Sequence, residues 1–440
     1  MKVLKFGGTS VGSAQRMKDV AKLITDGEQK LVVLSAMSGT TNTLVEISDY
    51  LYKKNPEGAN EIINRLESKY KQHIDELYST EEYKQKTLEF VKSVFDYIRS
   101  FTKDIFTLFE EKVILAQGEI ISTNMVTNYL CEQGVKAYLI PALDFMRTDK
   151  NSEPDLNYIR EKLKAQLEAH PGQEIYITQG FICRNAYGEI DNLQRGGSDY
   201  TASLIGAAVN ASEIQIWTDI DGMHDNDPRV VDKTSPVRQL HFEEAAELAY
   251  FGAKILHPTC IQPAKYANIP VRLLNTMEPT APGTLISNDT EKGKIKAVAA
   301  KDNITAIKIK SSRMLLAHGF LRKVFEIFES YQTSIDMVCT SEVGVSMSID
   351  NTKHLNEIVN DLKKYGTVTV DHDMCIVCVV GDLEWENVGF EAKALDAMRD
   401  IPVRMISFGG SNYNISFLIR EADKKKALQS LSDTLFNNKA

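Results

Sequence analysis

The sequence predicts an α/β fold in which a mostly parallel sheet is sandwiched by helices, followed by two units of βαββαβ order. The first observation is a series of short apolar runs at residues 3–6, 31–34, 175–177 and 214–217. Each run is followed by a glycine- or hydroxyl-containing turn, and such strands alternating with helices predict a parallel sheet. The second observation is that the order of strand-like runs and helical segments changes after about residue 293.

Composition and charge exclude several classes of protein. The chain has 440 residues, which is long for one core and predicts two or three domains. Its 60 acidic and 51 basic residues give a net charge of -9, which disfavours nucleic acid as a partner. We find neither a secretory signal nor an apolar run of membrane-spanning length, so we expect a cytoplasmic protein with no membrane partner.

The six cysteines do not indicate a metal or redox centre. Only Cys375 and Cys378 are close together, and a lone C-x-x-C pair without further ligands is a weak zinc signal. Reduced, buried thiols in a cytoplasmic protein fit this distribution better.

A glycine loop near the N-terminus predicts an anion site. The strand at residues 3–6 carries Lys5 and leads directly into Gly7, Gly8 and Ser10, after which a helical pattern begins. Backbone N–H groups in such a turn can cradle a phosphate, although no Walker A lysine follows at the required spacing. The alternative is a solvated lysine beside an ordinary turn.

A second glycine loop occurs at residues 195–199, where Arg195, Gly196, Gly197, Ser198 and Asp199 precede an apolar helical segment at 200–209. The N-terminus of a helix attracts anions, and arginine suits a carboxylate or a phosphate. Asp199 could cap the helix or orient cations. An ordinary strand-to-helix turn would have much the same sequence.

Polar residues at the ends of other predicted strands add candidates. Ser35 and Thr41 follow the run at 31–34, at the strand end where open α/β sheets bind ligands, unless they merely begin a helix. Glu119, in a Gln-Gly-Glu sequence that we expect to precede a helix, is a candidate partner for an ammonium group. Between Thr41 and Glu119, five apolar and aromatic residues have helical spacing, and we expect them to pack in the core: Phe90, Val94, Tyr97, Ile98 and Phe101.

The last third of the chain predicts two similar units. In the first, strands at 294–299, 304–309, 334–338, 343–349 and 368–370 alternate with helices near 319–330 and 355–365. The second has strands at 374–380, 403–408 and 414–419 and helices near 390–399 and 423–436, without a closing strand. We therefore expect one early strand to complete the second unit, so that one unit is inserted in the other.

At this point the sequence resembles a known family. The segments KFGGTS at 5–10, LSA at 34–36, QGE at 117–119, RGGSD at 195–199, WTD at 217–219, DPR at 227–229 and FGAK at 251–254 are similar to those of aspartate kinases, within the amino-acid-kinase superfamily. The resemblance implies transfer of the γ-phosphoryl group of ATP to L-aspartate, the first step of lysine, threonine and methionine biosynthesis. Mg²⁺ would arrive with ATP, without ligands from protein side chains.

The resemblance also implies roles for individual residues. The catalytic groups would be Lys5, Lys254 and Asp199. The nucleotide would be bound by Lys5, Gly7, Gly8, Ser10, Thr218, Asp219, His224, Arg229 and Lys254. The amino-acid substrate would be bound by Ser35, Thr41, Glu119, Arg195, Gly196, Gly197 and Ser198.

The C-terminal pattern is similar to the paired ACT domains of aspartate kinases, and we expect a catalytic domain over 1–292 and ACT units over 293–371 and 372–440. An amino-acid effector, lysine or threonine, would bind where the sequence resembles the lysine-sensitive type, at Met314, Phe320, Leu321, Ile335, Asp336, Thr340, Ser341 and Glu342. ACT units of the family imply a homodimer. Alternatives are a non-catalytic amino-acid sensor on the same fold and a superfamily kinase acting on glutamate or carbamate.

Overall fold

The structure, a computed structural model, describes residues 1–103, 105–193, 196–252, 256–311 and 318–437. The chain folds into two compact units. The first comprises Met1–Met223 and Leu256–Asn288, and the second comprises His224–Ile255 and Asp289–Ala440. Within the described ranges, no helix combines the length and the apolar character that crossing a membrane requires.

Helices and strands alternate through the first part of the chain. In order to Ser287 they are β1 (Lys2–Phe6), α1 (Ala14–Ile24), β2 (Lys30–Leu34), α2 (Thr40–Tyr52), α3 (Pro56–Leu77), α4 (Glu81–Ser100), α5 (Leu108–Glu132), β3 (Ala137–Leu139), α6 (Leu156–Ala169), β4 (Ile175–Gln179), β5 (Ile182–Arg184), β6 (Ile190–Asn192), α7 (Gly197–Val209), β7 (Ile214–Thr218), β8 (Met223–His224), β9 (Pro236–Val237), β10 (Gln239–His241), α8 (Phe242–Tyr250), α9 (Pro258–Tyr266), β11 (Val271–Asn275) and β12 (Thr284–Ser287).

The main sheet of the first unit confirms the predicted parallel arrangement. Its strands lie in the order β12-β11-β7-β1-β2-β4-β3. Each neighbouring pair is parallel except β11 and β12, which are antiparallel. Because parallel strands end at the same edge, the polar residues that follow β1, β2, β4 and β7 converge there.

The sheet is buried on both faces. Along β1, Leu4 and Phe6 belong to a large core shared with helices α1 to α5. Side chains alternate along a strand, so Val3 and Lys5 point to the other face, and α7 packs there against β1, β2 and β7. All five residues of β2 are buried for the same reason.

Two expectations about the helical region are corrected. Gln117, Gly118 and Glu119 do not precede a helix but lie in the middle of α5, which begins at Leu108 with a capping box formed by Thr107 and Glu110. Tyr97 is not part of the core: 48% of it is exposed, and its ring packs edge-on against Phe101, with the centroids 5.1 Å apart.

The second unit is built around two long strands. After Asp289 its elements are β13 (Ile295–Lys310), α10 (Phe320–Ser330), β14 (Met337–Ser341), β15 (Gly344–Ile349), α11 (Leu355–Leu362), β16 (Thr367–Gly381), α12 (Phe390–Ala397), β17 (Val403–Ser407), β18 (Asn414–Arg420) and α13 (Lys424–Leu435). Four of the predicted runs have therefore merged in pairs, into β13 and β16.

The strands of this unit form an antiparallel sheet in the order β14-β15-β13-β16-β18-β17. The first half of β13 pairs with the second half of β16, beside β18, whereas Thr305 to Lys310 pair with β15. Register shifts separate the halves near Asn303 and Asp373, both of which have a positive φ. One core lies under α10 and α11, and another under α12 and α13.

Candidate functional site

The loop after β1 packs tightly against the loop after β2. The N–H of Ser38 donates a hydrogen bond to the carbonyl of Gly8, at 3.1 Å. A Cβ atom on Gly8 would lie 2.8 Å from the carbonyl oxygen of Ala36, so only glycine fits there without a shift. Ser10 is completely buried, and its hydroxyl is 2.7 Å from that of Thr276. The predicted loop is therefore a close-packed turn at the carboxyl edge of the sheet.

Lys5 and Asp199 meet beside this loop. The ammonium nitrogen of Lys5, on β1, is 2.6 Å from Oδ1 of Asp199, in the first turn of α7, and both side chains are mostly buried. The same nitrogen lies over Gly7, 3.5 Å from where a Cβ atom would be. A cation is thus fixed between the two predicted glycine loops.

The second glycine loop begins α7. Gly196 and Gly197 have φ values of +70° and +37°, and a Cβ atom on Gly196 would overlap the sulfur of Cys260. The first N–H groups of α7 have no partner within the helix, and they lie at the positive end of its dipole. Ser198, at this end, accepts a hydrogen bond from the hydroxyl of Ser35, at 2.9 Å.

A cavity of about 320 Å³ lies beside these groups in the first unit. It is bounded by the loops after β1 and β2, by α5 and by the start of α7. Its lining residues are Gly8, Ser35, Ala36, Met37, Ser38, Gly39, Thr41, Asn42, Glu119, Phe181, Gly197 and Ser198. Predicted substrate residues from three separate segments therefore line one cavity, together with Gly8 of the predicted nucleotide loop.

Glu119 is the main charged group of the cavity. Its residue is 4% exposed, and Oε1 accepts a hydrogen bond from the N–H of Ala36, at 3.2 Å. The other oxygen, Oε2, is buried and has no hydrogen-bond partner in the described protein. Burial raises the pKa of Glu119 to about 8. A buried carboxylate oxygen without a partner indicates a site for an ammonium group.

Phe181, Asn42, Gly39 and the segment 36–38 were absent from the predicted site residues. All of them follow β2 or β4, neighbours in the parallel sheet. The rule that ligands bind at the carboxyl ends of such strands could have found them.

Thr218 and Asp219 lie at the same edge, at the end of β7. The Thr218 hydroxyl accepts a hydrogen bond from the N–H of Ile220, at 3.3 Å, and its carbonyl accepts one from the N–H of Thr276, at 2.8 Å. Asp219 is exposed. Since β7 adjoins β1, the first unit places these two residues on the sheet edge that carries the glycine loops.

The remaining predicted nucleotide residues belong to the second unit. Nδ1 of His224 is 3.0 Å from the hydroxyl of Thr234. Arg229 forms two hydrogen bonds with Asp227, at 2.9 and 2.8 Å, and its side chain is 72% exposed. Arg195 and Lys254 lie outside the described residues, as does Met314.

The predicted effector residues are divided by exposure. Phe320 is buried at the start of α10 and Ile335 is half-buried, whereas Leu321, Thr340, Ser341 and Glu342 are exposed. The side chain of Asp336 is only 1% exposed. Its Oδ1 accepts hydrogen bonds from Lys301, at 3.0 Å, and from the hydroxyl of Tyr250, at 2.8 Å. Asp336 is therefore already bound to groups of its own unit.

No group of three or more histidine, cysteine, aspartate or glutamate side chains in the described ranges could hold a metal ion. All six cysteines are free thiols. Burial raises the pKa of the Cys260 thiol to about 12, so this cysteine beside Gly196 stays protonated.

Known proteins resemble this chain over its full length. The amino acid kinase family matches residues 1–275, and an ACT domain matches 377–435. Aspartokinase 1 of Arabidopsis thaliana chloroplasts is 35% identical over 99% of the chain and 80% of its own length.

Two solved structures of Escherichia coli aspartokinase III, each 32% identical to the chain, also match. The complex with aspartate and ADP, in the R-state, has a TM-score of 0.83 and is covered over 100% of its length, with 99% of this chain. The complex with lysine and aspartate, in the T-state, has a TM-score of 0.80, with 99% of each chain covered. By sequence and by fold, this chain belongs to the aspartokinases of the amino acid kinase family.

Proposed function

We propose that the cavity of the first unit binds L-aspartate and that the adjoining glycine loops bind ATP, giving 4-phospho-L-aspartate and ADP. The observation that carries this proposal is Glu119, whose buried, unpaired oxygen faces a cavity that ends at the N-terminus of α7. One end of the cavity thus suits an ammonium group, and the other suits anionic oxygens. The solved relative with aspartate and ADP supports this assignment.

The substrate is an amino acid held at both ends. Glu119 binds the α-ammonium group, while Ser35, Thr41, Arg195 and the backbone of Gly196, Gly197 and Ser198 bind carboxylate oxygens. The side-chain carboxylate of aspartate is ionised at neutral pH, since its ordinary pKa is about 3.9. One of its oxygens attacks the γ-phosphorus, and the bond to the bridging oxygen of ADP breaks. The site therefore needs no general base.

Positive charge stabilises the phosphoryl group during transfer. Lys5 stands between the two glycine loops, and we assign Lys254 the same task. Asp199 orients the ammonium group of Lys5. The nucleotide contacts are assigned to Gly7, Gly8, Ser10, Thr218, Asp219, His224 and Arg229.

Mg²⁺ accompanies ATP in this scheme. Because Mg²⁺ keeps several water ligands and binds chiefly through phosphates in kinases, we assign it no side-chain ligand. Asp199 is already paired with Lys5, at 2.6 Å. The bound ion would neutralise charge at the phosphates.

The second unit would regulate this reaction. We assign the catalytic domain to 1–292 and ACT units to 293–371 and 372–440, the last completed by the first half of β13. An amino-acid end product of the pathway, lysine or threonine, would bind at the residues named above between 314 and 342. The lysine complex of the relative supports an amino-acid effector. We further propose a homodimer through the ACT units and, because the thiols are free, a cytoplasmic location.

The deciding experiment traps acyl phosphate with hydroxylamine in the presence of ATP and Mg²⁺. L-aspartate and L-glutamate are compared, each with and without L-lysine or L-threonine. Product from aspartate supports the kinase, and its loss with one added amino acid identifies the effector. Product from glutamate alone would favour another kinase of the superfamily, and no product from either would favour the amino-acid sensor.

The effector site has its own test. If Asp336→Ala and Glu342→Ala leave inhibition by both amino acids unaltered, the placement is wrong.

A further inference from the structure

Phe181 has a backbone conformation that residues other than glycine rarely adopt. It follows β4 through Gly180, and its φ is +69°. The N–H of Ile182 donates a hydrogen bond to the carbonyl of Gly180, at 2.7 Å, so the three residues form a tight turn centred on Phe181. A three-residue turn with a positive φ at its centre is rare and strained. Such strain clusters at functional sites, where the surrounding structure imposes it.

The turn is fixed to its surroundings on both sides of Phe181. Its N–H donates a hydrogen bond to the hydroxyl of Thr201, at 3.0 Å, and its carbonyl accepts one from the N–H of Leu193, at 2.7 Å. The Thr201 hydroxyl in turn donates to the carbonyl of Gly197, at 3.2 Å. Thr201 is completely buried. The turn is therefore tied through one hydroxyl to the first residue of α7.

The aromatic ring lies beside the N-terminus of α7, at the end of the cavity that suits anionic oxygens. A Cβ atom on Gly197 would be 3.3 Å from Cδ2 of Phe181, so the ring covers the start of α7 closely. The ring also lines the same cavity as Glu119 and Ser198. Glycine would fit this turn without strain, yet the chain places a large, rigid side chain here.

We propose that Phe181 sets the length of the amino-acid substrate and is the main barrier to glutamate. This inference rests on the proposed function, since it assumes that Glu119 holds the ammonium group while the side-chain carboxylate approaches α7. With the ammonium group fixed, an additional methylene group must lie between these two ends, against the ring. The backbone of the turn is strained, and three hydrogen bonds hold its N–H and carbonyl groups in place. The ring therefore cannot move aside easily.

The test compares aspartate with glutamate in four variants. Phe181→Gly removes the ring and relieves the turn, so it should fold at least as well as the native protein. Phe181→Ala removes the ring but keeps the strain. Thr201→Val keeps the ring but removes the hydroxyl that holds it, which makes Thr201 a positioning residue. Tyr187→Ala, at an aromatic residue that is 77% exposed in the β5 to β6 turn, is the matched control.

We expect the ratio of kcat/KM for aspartate to that for glutamate to fall about tenfold or more in both Phe181 variants, the usual effect of one methylene group in a fitted pocket. Thr201→Val should lower the same ratio by less, and Tyr187→Ala should leave it unchanged. A ratio that stays at the native value in both Phe181 variants, whether or not aspartate binds more weakly, would overturn the inference and leave the ring a packing residue.

A second measurement separates this inference from the proposed function. Binding of the two amino acids to the native protein and the variants is measured by isothermal titration calorimetry without ATP. If the native protein binds aspartate but makes no acyl phosphate, the proposed reaction is wrong, while the ratio of dissociation constants still judges Phe181. If the native protein converts aspartate and neither ratio changes in the variants, only the role of Phe181 is wrong.

Discussion

Lys5 and Asp199 bring the two glycine loops of the first unit together, since Nζ of the lysine is 2.6 Å from Oδ1 of the aspartate. The residues come from β1 and α7, which are adjacent in space but 194 positions apart. The attraction between their opposite charges offsets part of the cost of placing both groups at mostly buried positions. In the proposed reaction this cation is already in place before the phosphoryl group arrives.

The first prediction concerns this lysine. Lys5→Met should lower kcat by about a hundredfold or more, because it removes charge stabilisation of the transition state. The KM for aspartate should change little, since Lys5 is not assigned to the amino acid. Steady-state kinetics with the hydroxylamine assay provides the measurement.

Lys2 offers a matched control on the same strand. Its ammonium group pairs with Glu28 at the surface, at 2.8 Å. Lys2→Met should therefore keep the native kcat. Equal losses in the two variants would mean that the effect of Lys5 is structural.

The second prediction uses the raised pKa of Glu119. Below its pKa of about 8 in the free protein, Glu119 is largely protonated and cannot form an ion pair with the substrate ammonium group. The kcat/KM for aspartate should therefore rise as the pH approaches 8. Bound ammonium lowers this pKa, so kcat should vary less. Glu119→Gln should raise the KM strongly and remove this pH dependence.

The raised pKa of Glu119 also makes the stability of the folded protein depend on pH. Stability should fall over the pH range in which kcat/KM rises. Between the ordinary pKa of about 4.5 and about 8, the folded protein retains a proton that the unfolded chain releases. Native stability should then fall as the pH rises through this window. Thermal unfolding should show Glu119→Gln gaining stability relative to the native protein at higher pH. Glu111→Gln, a half-buried position on the same helix, is the control, and parallel curves for all three would contradict the assignment.

The sequence predicted the secondary-structure elements better than it predicted contacts between residues that are distant in the chain. The parallel order and the glycine loops follow from local patterns, because short apolar runs and Gly-Gly turns carry their own conformational preference. Glu119 was found as a residue but placed before a helix, since the capping box at Thr107 and Glu110 was overlooked. The position of Phe181 after β4 could have been predicted from the strand-end rule, but its contacts with Thr201 and Gly197 could not, because no local pattern reveals them.

The second unit shows the same limit. Predicted strands at 294–299 and 304–309 form one strand, β13, because Asn303 adopts a positive φ at a bulge and the pairing with β16 continues beyond it. Asn tolerates this conformation. The polar residues between the two predicted strands therefore form a bulge within one continuous strand.

The third prediction compares adjacent glycines. A Cβ atom on Gly8 would lie 2.8 Å from the backbone oxygen of Ala36, which cannot move independently of its loop. On Gly7 the nearest atom would be the flexible Lys5 ammonium nitrogen, at an ordinary 3.5 Å. Gly8→Ala should destabilise the protein by about 1–3 kcal/mol, whereas Gly7→Ala should not. Thermal unfolding of both variants checks this, and equal midpoints would show that the two loops can separate without cost.

The last prediction concerns the charged cluster of the second unit. Nζ of Lys301 is 3.0 Å from Asp336 and 2.9 Å from Asp350, and it lies 4.4 Å from the ring centroid of Tyr250. Burial raises the pKa of Asp336, and Lys301 opposes that rise. Lys301→Met should therefore leave Asp336 buried without a cation and destabilise the protein, by about 2 kcal/mol after allowance for partial exposure.

The pH dependence of this loss tests its cause. Without Lys301, the pKa of Asp336 should rise further, so the destabilisation should be larger at pH 7 than at pH 5. Adding Asp336→Asn to Lys301→Met should recover part of the loss, because the two effects are coupled. Lys308→Met, at an exposed position on the same strand, should change the urea midpoint little. If Lys301→Met is as stable as this control at pH 7, the buried carboxylate of Asp336 does not depend on Lys301 for its stability, and the prediction is wrong.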